Sequence, residues 1–227
     1  MKPPPSPSKG GEQFSPLEGV RGGLAVYLST AYLAPVQYYG KLISYESVWV
    51  ETCENYIKQT YRNRCMIATA NGIQSLSVPV EKPKKEKCLT KDIRISDHGN
   101  WRHIHWHALV SAYGMSPFFE YYADDFAQFY QQRYHFLLDF NERLLLTICE
   151  LLDIHPNIHY TTEYLPDVQN DFRTTIRPER AIADESFALN PYYQVFSAKH
   201  GFLPNLSIID LLFNMGPEAA IVLKSLP

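Results

Sequence analysis

Two stretches of the chain concentrate side chains able to do chemistry. The first is Glu54-Asn55-Tyr56-Ile57-Lys58-Gln59-Thr60-Tyr61-Arg62-Asn63-Arg64. Its content suits an anionic, hydroxyl-rich ligand. Arg62 or Arg64 can fork onto a phosphate or carboxylate, Lys58 adds a point charge, and Asn55 and Asn63 both donate and accept. Glu54 can take a proton from an incoming amine or hydroxyl if burial raises its pKa. A polar surface loop of ordinary charges has the same composition and stands as the alternative.

The second stretch is Asp97-His98-Gly99-Asn100-Trp101-Arg102-His103-Ile104-His105-Trp106-His107. On a helix His103 and His107 stack one turn apart, while His105 points with Trp101, Ile104, Ala108 and Ala112 toward the core. The i, i+4 pair has the spacing of two zinc ligands, but no Glu lies between them and the pattern fixes no third ligand. Hydrogen-bonded or surface histidines are the stronger reading, so no metal site is assigned. His98 beside Asp97 is the better general-base candidate, although such loop pairs also serve structure alone. Tyr32, Tyr38, Tyr39, Tyr56 and Tyr61 belong near the first stretch, where they can stack on sugar or base faces or form the amphipathic edge of a core.

Elements that would position these groups follow from periodicity. Leu24–Ser29 is a short apolar run suited to a buried strand, 35–44 a short helix and Ser47–Thr52 the next strand. Strand, helix and strand in that order predict a parallel pair in an α/β layer. The first stretch then leaves the carboxyl end of a strand, where open α/β sheets bind ligands. Asn71-Gly72 between 64–70 and 73–80 predicts a hairpin in which both turn residues take positive φ. Residues 81–94 form a charged connector. Asn100 caps a helix over 101–113 closed by Gly114, and Ser116-Pro117 opens another that carries Phe118, Tyr122, Phe126, Phe129 and Tyr130. Asp139-x-x-Glu142 and Ser207-x-x-Asp210 read as capping boxes, and Gly216-Pro217 stops the final helix. The fold class is therefore α/β or α+β: an N-terminal strand–helix–strand and a hairpin, packed with a helical middle and C-terminal segment.

Composition removes several functions. The chain has 227 residues, 21 Lys and Arg against 24 Asp and Glu, and a net charge of −3, which argues against a nucleic-acid partner. No run approaches 18 apolar residues, so no membrane span is expected, nor is a secretory leader; the cytoplasm is the expected location. Four cysteines without a Cys-x-x-Cys pair give no disulfide framework or zinc motif. Five of the 11 glycines lie in residues 1–23, and the other six write neither a dinucleotide fingerprint, a P-loop nor a nucleophile elbow. Residues 1–23 also hold five of the 16 prolines and read as a disordered tail ahead of one domain over 24–227.

The sequence resembles the WbqC-like protein family, in a form similar to its Bacteroides-type members. The likeness rests on Tyr32-Leu33, Tyr38-Tyr39-Gly40-Lys41-Leu42 and Val48-Trp49-Val50-Glu51. It continues through Lys58, Asn63-Arg64, Ile67, Leu76-Ser77-Val78-Pro79-Val80, Trp101, Tyr113 and 117–122, and ends at 206–216. Where family members open with His-Gln-Pro, this chain has Leu28-Ser29-Thr30; Ala34-Pro35 replaces Pro-Trp, and Glu54 best matches the family's acid after the second strand. The resemblance implies a role in cell-surface polysaccharide (O-antigen type) synthesis, with a nucleotide-activated or amino sugar as small-molecule substrate. An acyl or aminoacyl transferase is the enzyme class implied. Glu54, with His98 as a second candidate, would be the base; Lys58, Asn63 and Arg64 would hold the donor's anion, and Tyr32 and Lys41 would line the pocket. A non-catalytic sugar-nucleotide-binding or scaffold protein of the same pathway is the rival reading. A metal hydrolase on His98, His103 and His107 is the third. No cofactor and no oligomeric state follow from the residues.

Overall fold

The structure is a computed structural model and describes residues 24–82, 87–178 and 187–226. The tail expected over 1–23, and part of the connector, lie outside the described residues. Strands β1 (Ala25–Ser29) and β2 (Ser47–Glu51) flank helix α1 (Val36–Ser44) and pair in parallel, Val26 opposite Val48 and Leu28 opposite Val50. These four side chains are buried, while Tyr27 and Trp49 alternate to the other face, as a period of two requires. A third parallel strand, β5 (Ile158–Tyr160), pairs with β2, giving the order β1-β2-β5. Three residues of mixed polarity leave no periodic trace, which is why this strand escapes a sequence reading. On the other side of β1, the chain at Asn170–Phe172 bonds both backbone groups of Tyr27.

The hairpin β3 (Arg64–Thr69) and β4 (Gly72–Ser77) is a separate two-stranded sheet. Its turn differs from the expected one. Thr69 faces Gly72, and of the turn residues only Gly72 has positive φ, at 102°. Ala70 and Asn71 therefore form a two-residue turn without positive φ, the register stays one-to-one up to Thr69 and Gly72, and the Thr69 hydroxyl donates to the Gly72 carbonyl at 2.8 Å.

Helices α2 (Trp101–Tyr113), α3 (Phe119–Gln131) and α4 (Leu137–Leu151) supply the aromatic core around Phe126, Phe129 and Phe140. Ile104 is exposed rather than inward; the buried face of α2 runs through Trp101, His105, Leu109, Ala112 and Tyr113. Helix α3 begins at Phe119, two residues after Pro117; Phe118 stands outside helical geometry at φ −116° and ψ 7°, and its amide donates to the Phe213 carbonyl. The short α5 (Ser197–His200) precedes α6 (Ile208–Met215), whose residues are buried on every side, and α7 (Ala219–Lys224) packs beside α1.

Neither capping box forms. Asp139 and Glu142 sit inside α4, which starts at Leu137. Ser207 does precede α6, but its hydroxyl donates to the Leu33 carbonyl, and Asp210 is fully buried against Tyr192 and Gln194. Tertiary partners thus replace the local bonds that the spacing suggests. Asn100 likewise makes no side-chain cap, and Gly114 closes α2 in right-handed geometry.

Candidate functional site

The carboxyl ends of the three parallel strands come together at Ser29, Glu51 and Thr161. Glu51 is fully buried. Its Oε1 accepts from the Cys53 amide (2.8 Å) and the Thr161 hydroxyl (2.7 Å), and its Oε2 from Arg173 Nη1 (2.8 Å). Arg173 reaches this point from the chain that lies along β1. It forks onto Asp171 at 2.9 and 2.6 Å, donates to the Leu165 carbonyl at 2.8 Å, and lies between the rings of Tyr27 and Tyr164. Burial pushes the Asp171 carboxyl up, but the bonds and charge of Arg173 outweigh that and hold it below the usual range.

A second buried guanidinium stands beside the first. Arg62, 1% exposed, donates to both oxygens of Glu54 at 2.7 and 2.6 Å, to the Thr60 hydroxyl at 3.1 Å and to the Ser29 hydroxyl at 2.7 Å. Ser29 in turn donates to the Arg173 carbonyl at 3.0 Å, which joins the two ion pairs into one network. Two guanidiniums face three carboxylates here, Glu51, Glu54 and Asp171. A partly open hollow of about 10 Å3, room for about one water, adjoins Arg62. Its walls include Ser29, Thr30, Tyr38, Tyr61 and Phe172. Burial raises the hydroxyls of Tyr38 and Tyr61, the latter to about 12, so both stay protonated as donors. Two further polar atoms, Tyr56 Oη and Asn141 Oδ1, are buried without a hydrogen-bond partner among the described residues.

The expected site residues divide between this network and other places. Glu54 belongs to it, held bidentately by Arg62. Lys41 is buried with its ammonium 4.6 Å from the ring centre of Phe172, which lines the hollow. Lys58 is exposed on the loop. Asn63 donates to the Val78 carbonyl at 2.9 Å, and Arg64, at the start of β3, donates to the Ser77 hydroxyl at 3.1 Å. Tyr32 is in the core, its hydroxyl 3.0 Å from His105 Nδ1 and 2.7 Å from that of Tyr130, with its ring against Phe140. His98 is exposed ahead of α2, and Asp97 pairs with Arg102 and Arg133 rather than with it. The carboxylate, amide and cations of the Glu54–Arg64 stretch therefore do not converge on one hollow. Ser29, Glu51, Thr161, Asp171 and Arg173 were the residues sequence reasoning missed; only Glu51, a charge closing an apolar strand, leaves a sequence signal.

The family model of the WbqC-like protein family matches residues 30–186, and so takes in every part of the network except Ser29. The chain belongs to the WbqC-like protein family. It is also similar to Rv1507c of Mycobacterium tuberculosis, described only as an uncharacterised protein, at 29% identity over 194 residues covering 74% of this chain and 84% of that one. No solved structure matches. Within this WbqC-like chain, no group of three or more His, Cys, Asp or Glu among the described residues is arranged to hold a metal ion, which overturns the three-histidine hydrolase reading. The four cysteines are free thiols. Among the described residues no helix is long and apolar enough to cross a membrane.

Proposed function

We propose that this WbqC-like chain acts on a nucleotide-activated or amino sugar in cell-surface polysaccharide synthesis, at the carboxyl edge of its parallel sheet. Acyl or aminoacyl transfer to a sugar amine is the reaction, and the cytoplasm, which supplies activated sugars and acyl donors, is its place. The observation that carries this reading is the pair of buried ion pairs joined through Ser29. Buried salt bridges are weak sources of stability, and well-packed apolar residues of similar volume often do as well or better. A fold that keeps two guanidiniums and three carboxylates at its strand ends has a use for them other than cohesion, and strand carboxyl ends are where open α/β sheets take ligands.

An arriving phosphate or carboxylate competes with Glu54 for the fork of Arg62. Glu54, so released, accepts the proton as the sugar amine attacks the acyl carbon and the donor's leaving group departs. Lys41 holds the site's charge from behind Phe172, and Lys58 meets the donor from the exposed loop. Asn63, Arg64 and Tyr32 position the loop and the core behind it, and His98 is the second candidate for the base. One observation favours the rival reading of a non-catalytic binder: both Glu54 oxygens are already engaged by Arg62.

Thermal-shift screening of the full chain against UDP-, GDP- and dTDP-sugars tests binding, since a ligand at 100 times its Kd adds about 2.7 kcal/mol of stability. Product formed by the wild type and lost in Glu54→Gln supports the transferase. Binding without product under every donor supports the binder, and no binding to any sugar nucleotide rejects both.

A further inference from the structure

Helix α2 carries a pair of side chains that the carboxyl edge does not use. His103 and His107 lie one turn apart on its exposed face, with ring centroids 4.0 Å apart and planes at 44°. Among the described residues neither imidazole has a hydrogen-bond or ion-pair partner. Both line a groove of about 500 Å3 between α2 and the tip of the β3–β4 hairpin, together with Asn71, Gln74 and Ser111. The nearby His200 is engaged elsewhere, its Nε2 at 3.1 and 3.2 Å from the carbonyl oxygens of Thr69 and Ala70, and Lys199 donates to the Ala70 carbonyl at 2.6 Å. Those bonds hold the hairpin tip that forms the far wall.

We propose that His103 and His107 form a two-histidine site for a borderline divalent transition-metal cation, with Cu2+ bound most tightly and Ni2+ and Zn2+ less so. Neutral imidazole suits these ions, and the order follows the general ranking of first-row divalent metals. The helix holds both ligands on one face before the ion arrives. Metal–nitrogen bonds of about 2.0–2.1 Å, set at right angles, need the ring centroids roughly half an ångström further apart, a small rotation for two exposed side chains. No third His, Cys, Asp or Glu joins them among the described residues, so the chain fills two coordination positions and leaves the rest to water or to a small anion admitted by the groove. Hard cations that want carboxylate cages, Mg2+ and Ca2+, find none there.

Titration of the full chain with CuCl2, NiCl2 and ZnCl2 by calorimetry, in a non-chelating buffer, tests the site. One Cu2+ per chain is expected, with two nitrogen ligands in its electron paramagnetic resonance spectrum. Each of His103→Ala and His107→Ala should weaken that binding at least tenfold, and the double variant should lose it, with the metal-free melting temperature unchanged. If a variant melts lower without metal, His107→Gln supplies the comparison, since it keeps the polar surface and removes the ligand. MgCl2 should bind nowhere on α2. Equal Cu2+ affinity in wild type and double variant would show an adventitious ion only, and absence of a two-nitrogen signal in the wild type would equally overturn the site.

Discussion

Replacing Arg62 by methionine tests the buried network most severely. The guanidinium is 1% exposed and makes two bonds to Glu54, itself 7% exposed, and one each to Thr60 and Ser29. Its loss strands a carboxylate away from water, which costs about 3–5 kcal/mol in comparable buried pairs. For a chain of 227 residues each kcal/mol moves the melting midpoint by about 2–4 °C, so Arg62→Met should melt about 6–20 °C lower. Adding Glu54→Leu removes the stranded charge, and the double variant should recover most of the loss, leaving a coupling of about 2 kcal/mol or more. Urea unfolding of the four proteins, compared at equal m, gives these numbers. A single variant within about 1 kcal/mol of wild type, or a double variant no better than the single, would refute the reasoning.

Three further predictions rest on other buried groups. Burial lowers the His105 pKa to about 4, with a bond to the Ser77 backbone opposing in part. The unfolded chain therefore takes up this proton first, so stability is complete above about pH 6.5 and should fall by roughly 3 kcal/mol toward pH 4. His105→Gln should lack that part of the pH dependence in urea midpoints, and parallel curves would contradict it. Burial raises the Asp210 pKa against bonds from Tyr192, Gln194 and Tyr113, so the unfolded chain ionises first and stability is lost as pH rises from about 4 through the raised folded value. Asp210→Asn should gain on wild type across that rise; a constant difference between the two would speak against a buried, protonation-sensitive carboxyl. Gly216 has φ of 55°, and a Cβ there would meet the Phe118 ring at 2.5 Å, so Gly216→Ala should cost about 1–3 kcal/mol by chemical denaturation.

The first half of the fold was legible because its signals are local. Val26, Leu28, Val48 and Val50 alternate with polar or aromatic neighbours, and a helix of suitable length between them leaves parallel pairing as the ready solution. Strand β5 was not, since its three residues owe their extended form to the edge of β2. Ser207 and Asp210 show the opposite failure: the spacing of a local cap is present, but burial redirects both side chains to distant partners. The site was half legible for the same reason. Glu54 and Arg62, eight residues apart on one loop, belong to a polar stretch visible by eye, whereas Arg173 is 122 residues from Glu51 and meets it only because the chain doubles back along β1. Arg64, chemically as suitable as Arg62, already belongs to β3, where it lies opposite Ser77 and donates to that hydroxyl on the paired strand.

Titrating a UDP-amino sugar into isotopically labelled full-length chain and following backbone amide shifts tests the placement of the ligand at the strand ends most directly. Shifts gathered at Ser29–Ala31, Glu54, Tyr61–Arg62 and Phe172–Ile176, and absent from a folded Arg62→Met/Glu54→Leu protein, are the predicted result. Shifts centred on another surface, or unchanged by that double replacement, would contradict it.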